Sequence, residues 1–478
     1  MMKMNVNEKK KVEQKKVRKA NFIEALIVFI VLIAVMFISI IVFEQDPHIP
    51  MLIGVVAAAL MALKIGYSWS FIEKSMIGGI SQAMQSIIIL AIIGVLVGVW
   101  ILSGVVPTMI YYGLMIIKPS IFLVATVIIT SITSIATGTS WGTAGTMGIA
   151  LMGIAKGLGI PAPITAGAVL SGAYFGDKMS PLSDTTNLAP AMAGTDVFTH
   201  VKSMAKPTII AYAITLVIFG YYSYKFKAQS SDLTKVAEIM TGLQDNFYIS
   251  PLLLLPPLIV ILSIAKRTPA IPGISLGIIA AAILSPIFQQ SNFGEILHAA
   301  LEGYDSNTGI SAIDELLTTG GLNNMMSSIS LTLIAMMFGG IAESTGILEA
   351  IVEKIVHKIK SKVGIVATTI VTCFVSNATM PEQYISIVVP GRMFKQEYKS
   401  RGIHPKLLSS SLESGGTVTS AMIPWNTCGA YMTQVLGVST TAYLPFLYFN
   451  LLMPVIQIII TAIDSDKLNI ENDPDTAF

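Results

Sequence analysis

One polar run interrupts an otherwise apolar chain: Gly176-Asp177-Lys178-Met179-Ser180-Pro181-Leu182-Ser183-Asp184-Thr185-Thr186-Asn187. A charged side chain at bilayer depth costs roughly 2.5 to 3.5 kcal/mol on insertion scales, so such residues usually face a cavity and act on an ion or substrate. Pro181 lacks a backbone donor and breaks the helix, which frees carbonyls and hydroxyls to coordinate a cation where the broken ends meet. Three more polar clusters share this character: Thr137-Gly138-Thr139-Ser140-Trp141, Asn377-Ala378-Thr379-Met380-Pro381-Glu382-Gln383-Tyr384, and Glu413-Ser414-Gly415-Gly416 leading to Pro424-Trp425-Asn426-Thr427. Their carboxylate, hydroxyl and amide oxygens suit a hard cation such as sodium. Asp177, Asp184, Glu382 and Glu413 are the candidate carboxylates for sodium and proton, with sodium expected at Asp177 and Asp184. A carboxylate removed from water holds its proton more tightly, so proton and sodium compete for the same oxygens; competition of that kind is exchange.

Lys178 reads in three ways: a counter-ion for an empty site, an anchor for an anionic substrate, or a lysine whose head snorkels to the interface. Glu343 either lines a cavity or closes a helix end ahead of Gly346. Gly138-Thr139-Ser140-Trp141-Gly142 also spells the G-x-S-x-G of a serine hydrolase, but His48, His200, His298, His357 and His404 all fall in connections or at span ends, and no strand precedes the serine. There is no H-E-x-x-H, C-x-x-C or phosphate-binding loop, so neither an enzyme nor a cofactor is expected; sodium and protons are the expected cargo. Cys373 and Cys428 sit in apolar surroundings and read as buried thiols.

The elements that carry these clusters are membrane helices. Of 478 residues 53% are hydrophobic and 12% charged, and mean hydropathy is +0.72. A soluble domain averages about 25% charged residues. Apolar blocks fall near 22–43, 49–65, 80–102, 120–136, 143–157, 163–198 with a break, and 207–224. A second set falls near 248–265, 270–287, 326–344, 363–376, 383–394, 406–440 with a break, and 443–463. About 20 apolar residues span the hydrocarbon core, and the first block is too long for a cleavable signal.

The two sets match in order. Gly104 lies over Gly346 at an offset of 242 (346 − 104), and from Ser134 the offset is 243, pairing Pro181 with Pro424 and Gly194 with Gly437. Such a duplication marks membrane transporters. Charge placement orients the copies. Eight basic residues precede the first span (Lys3, Lys9, Lys10, Lys11, Lys15, Lys16, Arg18, Lys19), and the acidic turn Glu44-Gln45-Asp46 answers the basic turn Lys266-Arg267 of the second copy. Basic loops stay inside, so the copies are expected to be inverted, each crossing an odd number of times, with both termini cytoplasmic. The fold class is therefore an all-α membrane protein of two inverted repeats with broken helices or re-entrant hairpins and about 10 to 14 segments. Its divisions are a basic tail 1–21, a first repeat 22–224, an external linker 225–247, a second repeat 248–463 and a tail 464–478. The stretch 347–362 reads as an amphipathic helix on the cytoplasmic face.

Residues 138–143 (Gly-Thr-Ser-Trp-Gly-Thr) and the run 176–187 resemble those of the NhaC family of bacterial sodium/proton antiporters, and the resemblance covers about 22–463. It implies a secondary exchanger of the bacterial plasma membrane, a homodimer, and a family that includes exchangers of malate for lactate. Carried onto this sequence, it points to Asp177, Ser180, Ser183, Asp184, Thr185 and Asn187 along the ion path, with Thr137, Thr139 and Ser140 facing them. The repeat adds Asn377, Thr379, Glu382, Glu413, Asn426 and Thr427. Sodium/proton exchange by alternating access is the leading expectation and carboxylate exchange the alternative; a passive pore would need polar stripes along whole spans.

Overall fold

In the computed structural model the described residues are 17–43, 45–116, 118–227, 233–266, 268–347, 349–351, 359, 361–380 and 382–464. Lys3, Lys9, Lys10, Lys11, Lys15 and Lys16, Glu44, Arg267, Pro381, the tail 465–478 and most of the expected surface helix, with Lys354, His357, Lys358 and Lys360, lie outside them. Among the described residues all regular elements are helical, and a bridge between Tyr304 and Thr319 is the extended pairing.

The first copy runs α1 (Phe22–Phe37), α2 (His48–Lys64), α3 (Trp69–Gln82), α4 (Met84–Leu102), α5 (Val105–Ile116), α6 (Phe122–Thr137), α7 (Ser140–Thr143), α8 (Ile149–Gly157), α9 (Ala162–Met179), α10 (Asp184–Ala193) and α11 (Val197–Lys227). The second runs α12 (Leu233–Asn246), α13 (Leu255–Ala265), α14 (Ala270–Phe288), α15 (Phe293–Glu302), α16 (Ser311–Leu317), α17 (Leu322–Ser344), α18 (Lys362–Thr379), α19 (Ile385–Ser400), α20 (Pro405–Leu412), α21 (Thr427–Leu436), α22 (Thr440–Tyr443) and α23 (Tyr448–Ile463). Six of these, α4, α6, α11, α14, α17 and α18, are long and apolar enough to cross a membrane. Two bent pairs join them, with angles of 98° between 236–246 and 251–263 and 56° between 440–446 and 448–463, along with the shorter apolar α1, α2 and α5. Breaks divide the block near 163–198 into α9 and α10 and the block near 406–440 into α20 and α21. Ile23, Ile30, Ile33 and Phe37 of α1 and Leu276, Ile279, Ile283 and Ile287 of α14 point outward. Exposed apolar stripes at helical spacing are what a lipid-facing helix presents.

The duplication is visible element by element. Helices α10 and α21 start 243 residues apart (427 − 184) and end 243 apart (436 − 193). Each is capped by the residue before it: Ser183 Oγ accepts from the Thr186 N–H at 3.5 Å, and Asn426 Oδ1 from the Cys428 N–H at 3.0 Å. Each ends in a left-handed glycine, Gly194 at φ 88° and Gly437 at φ 65°. Packing is exchanged between copies, for α17 lies against α2 and α3 while α4 lies against α14 and α15. Glycines allow both approaches. A Cβ on Gly98 would stand 2.0 Å from the Ala299 carbonyl oxygen, and one on Gly340, its equivalent at offset 242 (340 − 98), 2.1 Å from that of Ser75. Equivalent elements also meet each other, α4 with α17 and α11 with α23. Interactions repeated with the copies' roles exchanged are those of a pseudo-two-fold arrangement.

Two elements differ from the sequence expectation. Helix α5 occupies a stretch with no expected span, because its 12 residues are too few to cross alone. The linker 225–247 holds α12, whose Ile239 and Leu243, four residues apart, are buried in the core. Mixed charges on its other face hide that stripe from a reading by composition.

Candidate functional site

Helices α6 and α9 pack along each other, and both stop inside the molecule. Helix α6 ends at Thr137 because Gly138 adopts φ 69°, and Thr139 then caps α7, its Oγ1 accepting from the Gly142 N–H at 3.2 Å. Helix α9 ends at Met179, and the turn through Pro181 delivers the chain to α10. The loose ends are tied by side chains. The Thr186 hydroxyl donates to the carbonyls of Asp177 (3.1 Å) and Lys178 (3.2 Å), and the Asn187 amide to those of Pro181 (2.9 Å) and Ser183 (2.7 Å). The Ser180 hydroxyl reaches the Ile135 carbonyl at 2.7 Å. A break held this way leaves few dangling backbone groups, as lipid depth demands.

Between the two breaks lies Asp177, buried, its Oδ2 accepting from the Ser140 hydroxyl at 2.6 Å and the Ser140 N–H at 3.1 Å. A cavity of about 550 Å³ opens beside it, bringing together Thr137, Thr139, Asp177, Ser183, Asp184, Thr185 and Asn187. Thr268 and Pro269 of the α13–α14 turn and Val197 and Phe198 at the start of α11 line it as well. None of its lining residues among those described is Lys, Arg or His. Asp184 faces the opening, with the Tyr384 hydroxyl 3.5 Å from its Oδ2.

Five polar lining residues, Gln85, Ser86, Thr268, Gln383 and Tyr384, lie outside the residues expected from sequence. Two carried a signal: Gln85 and Ser86 open the long apolar helix α4, where the repeat aligns them with Ser327 and Ser328. Gln383 and Tyr384 adjoin Glu382 within a cluster already polar. Trp141 also lines the cavity, stacked on Tyr431 with ring centroids 4.3 Å apart, its carbonyl accepting the Tyr431 hydroxyl at 2.7 Å.

The second copy's candidates lie outside the cavity lining and have mainly local partners. The Asn377 amide donates to the Gly416 carbonyl (2.7 Å) and the Thr419 hydroxyl (3.0 Å), and Asn426 donates to the Asn377 carbonyl at 3.0 Å. Thr379 bonds its own helix at Val375, and Thr427 lies within 3.5 Å of Asn426 Oδ1. Glu382 Oε2 caps the start of α19, accepting from the N–H groups of Tyr384 (2.6 Å) and Ile385 (3.2 Å). Glu413 is completely buried and accepts from the Thr185 hydroxyl at 3.1 Å. Lys178, equally buried, donates to Ser414 Oγ at 3.2 Å and lies within electrostatic reach of Glu413. That placement excludes the snorkelling alternative for Lys178. Glu343 meets the Gln82 amide at 3.3 Å, away from the cavity.

The repeat also relates side chains. Ser134 donates to the Ala173 carbonyl at 2.6 Å where Asn377 donates to that of Gly416, positions related by 243 on both sides (377 − 134, 416 − 173). At the same offset the Ser140–Asp177 pair has a neutral counterpart: Ser420 donates to Gln383 Oε1 at 3.3 Å.

Residues 172–463 match the Na+/H+ antiporter family. The chain belongs to that family. It is 38% identical over 436 residues to the malate-2H(+)/Na(+)-lactate antiporter of Bacillus subtilis, covering 91% of this chain and 93% of the relative. To the Na(+)/H(+) antiporter NhaC of the same organism it is 38% identical over 444 residues, 93% of this chain and 98% of that one. The NhaC of Alkalihalophilus pseudofirmus gives 38% over 434 residues, 90% and 93%. As a member of the Na+/H+ antiporter family the protein is a multi-pass membrane transporter and not an enzyme. The matched antiporter segment begins at Gly172, inside α9, so it takes in Asp177, Asp184 and the whole second copy.

Proposed function

We propose that the protein is a secondary exchanger that trades sodium for protons across the bacterial plasma membrane by alternating access. One observation carries the reading: Asp177 and Asp184 reach the same cavity among hydroxyl and amide groups, with no basic side chain among the described lining residues. Sodium, as cargo, would be held by these two carboxylates with oxygens from the broken helix ends. The cavity reaches Thr268 and Pro269 of the α13–α14 turn, whose basic sequence Lys266-Arg267 marks the cytoplasmic side. The conformation is accordingly read as open to the inside. The reading includes inverted repeats, cytoplasmic termini and, from the family resemblance, a homodimer.

A second reading, carboxylate exchange, has one observation in its favour. A cavity of about 550 Å³ far exceeds one ion and its few waters, each water filling about 30 Å³. The experiment is proton flux in proteoliposomes under a sodium gradient, with and without malate and lactate. Sodium-driven flux without organic acid, abolished by Asp177→Asn or Asp184→Asn, supports simple exchange. Flux that requires an organic acid establishes the second reading, and flux unchanged in both variants removes the two aspartates from the mechanism.

A further inference from the structure

We propose that the exchanged proton rides on Glu413, an acid set apart from the sodium cavity and joined to it by the hydroxyl of Thr185. The proposal rests on the sodium/proton reading and deepens it by separating the two cargoes.

Thr185 lines the cavity and donates to Glu413 Oε1 at 3.1 Å, while Ser183 Oγ lies 3.1 Å from the Thr185 hydroxyl. Glu413 itself is outside the lining. Its other oxygen, Oε2, has no close hydrogen bond among the described residues; the Thr417 hydroxyl, at the other end of the π-helical turn Glu413–Thr417, acts on the carboxylate only loosely. A buried carboxylate oxygen so poorly served is costly, and a proton supplies the O–H that lets such an oxygen donate. Sodium suits this place badly. It needs several oxygens at once, and the Lys178 ammonium acts on Glu413 from α9. A proton needs one oxygen and one bridge.

The transfer balances simply. A hydronium ion in the cavity gives a proton to Thr185 Oγ1 as the hydroxyl's own hydrogen passes to Glu413 Oε1, leaving a water molecule, an unchanged hydroxyl and a neutral carboxylic acid. The ionisable groups facing Glu413 are Lys178 and Asp177 on α9 and Cys373 on α18; His200 on α11 acts on Lys178. Asp177 supplies the coupling. A sodium ion there and a proton on Glu413 repel each other through a medium that screens poorly, so loading one expels the other.

Two readouts in proteoliposomes test this: sodium-driven proton flux, and exchange of labelled sodium for unlabelled sodium, which moves no proton. In Glu413→Gln, proton flux is expected to fall about 100-fold, the scale of a lost proton-transfer group, with sodium–sodium exchange retained within about threefold. Thr185→Val should slow proton flux about tenfold and Thr185→Ser restore it. Proton flux that survives Glu413→Gln overturns the proposal, as does loss of both modes in that variant. Should Glu413→Gln not fold, full proton flux in Thr185→Val overturns it equally. If the wild type moves no proton in response to sodium, the exchange reading itself has failed.

Discussion

Asp177 has two donors from a single residue, and they are separable. Ser140→Ala removes the hydroxyl at 2.6 Å and leaves the N–H at 3.1 Å. Hydrogen bonds to a charged group contribute about 1.5 to 3 kcal/mol, and the remaining donor limits the loss. The sodium concentration for half-maximal flux should change by about tenfold in Ser140→Ala. An unchanged sodium dependence would show that this bond does not hold the carboxylate for the ion. At this scale the sequence was legible where residue type and helix break coincide, as at Asp177, Ser183 and Asp184. It was silent on direction. Glu413 and Asp184 are both acids beside a break, but one turns into protein and the other onto a cavity, and helix rotation set by tertiary packing decides which.

The broken helices depend on the backbone as much as on side chains. At Gly138, with φ 69°, an added Cβ would stand 2.7 Å from the backbone carbon of Leu182, so alanine there drives the two breaks apart. Gly159 has the same φ of 69° with nothing within 4 Å. Gly159→Ala should cost about 1 to 2 kcal/mol from backbone conformation alone. Gly138→Ala should cost more and lower sodium-driven flux as well. Melting temperature in detergent and flux in liposomes check the pair, and equal behaviour would dissociate the break from transport. A second element outside the spans is held by one acid. Asp314 accepts from the N–H (2.7 Å) and hydroxyl (2.7 Å) of Thr308, the Ser306 hydroxyl (2.9 Å) and the Gly309 N–H (3.1 Å). These donors, the Thr308 N–H foremost, hold its carboxyl below the ordinary carboxylate range. A depressed folded value means that the stabilisation is present above the unfolded carboxylate range and is lost as pH falls through the folded value. Amide exchange across 304–319 should therefore accelerate in Asp314→Asn near neutral pH, with the difference from wild type closing in acid. Helix positions and breaks were readable from apolar blocks, Pro and Gly. Helices α5 and α12 were not, because shortness and mixed charge conceal an element whose burial is decided by its neighbours.

For the whole molecule, the side on which the cavity opens has a direct test. Asn187→Cys should react with a membrane-impermeant thiol reagent from the cytoplasmic side, and sodium should slow the reaction. The native Cys373 and Cys428 are buried and give little background. Labelling only from outside would reverse the assigned orientation. The duplication was legible as ordered spacing long before any identity between the copies became obvious; the exchange of packing, α17 onto α2 and α3 and α4 onto α14 and α15, was not, because it depends on contacts between residues far apart in sequence.

The neutral Ser420–Gln383 pair that mirrors Asp177–Ser140 has a genetic consequence. Two identical subunits around a true axis carry an acid at both places or at neither. A single gene encoding both halves in tandem lets each half mutate alone, so an asymmetric constellation, one ionisable partner facing one inert one, becomes heritable.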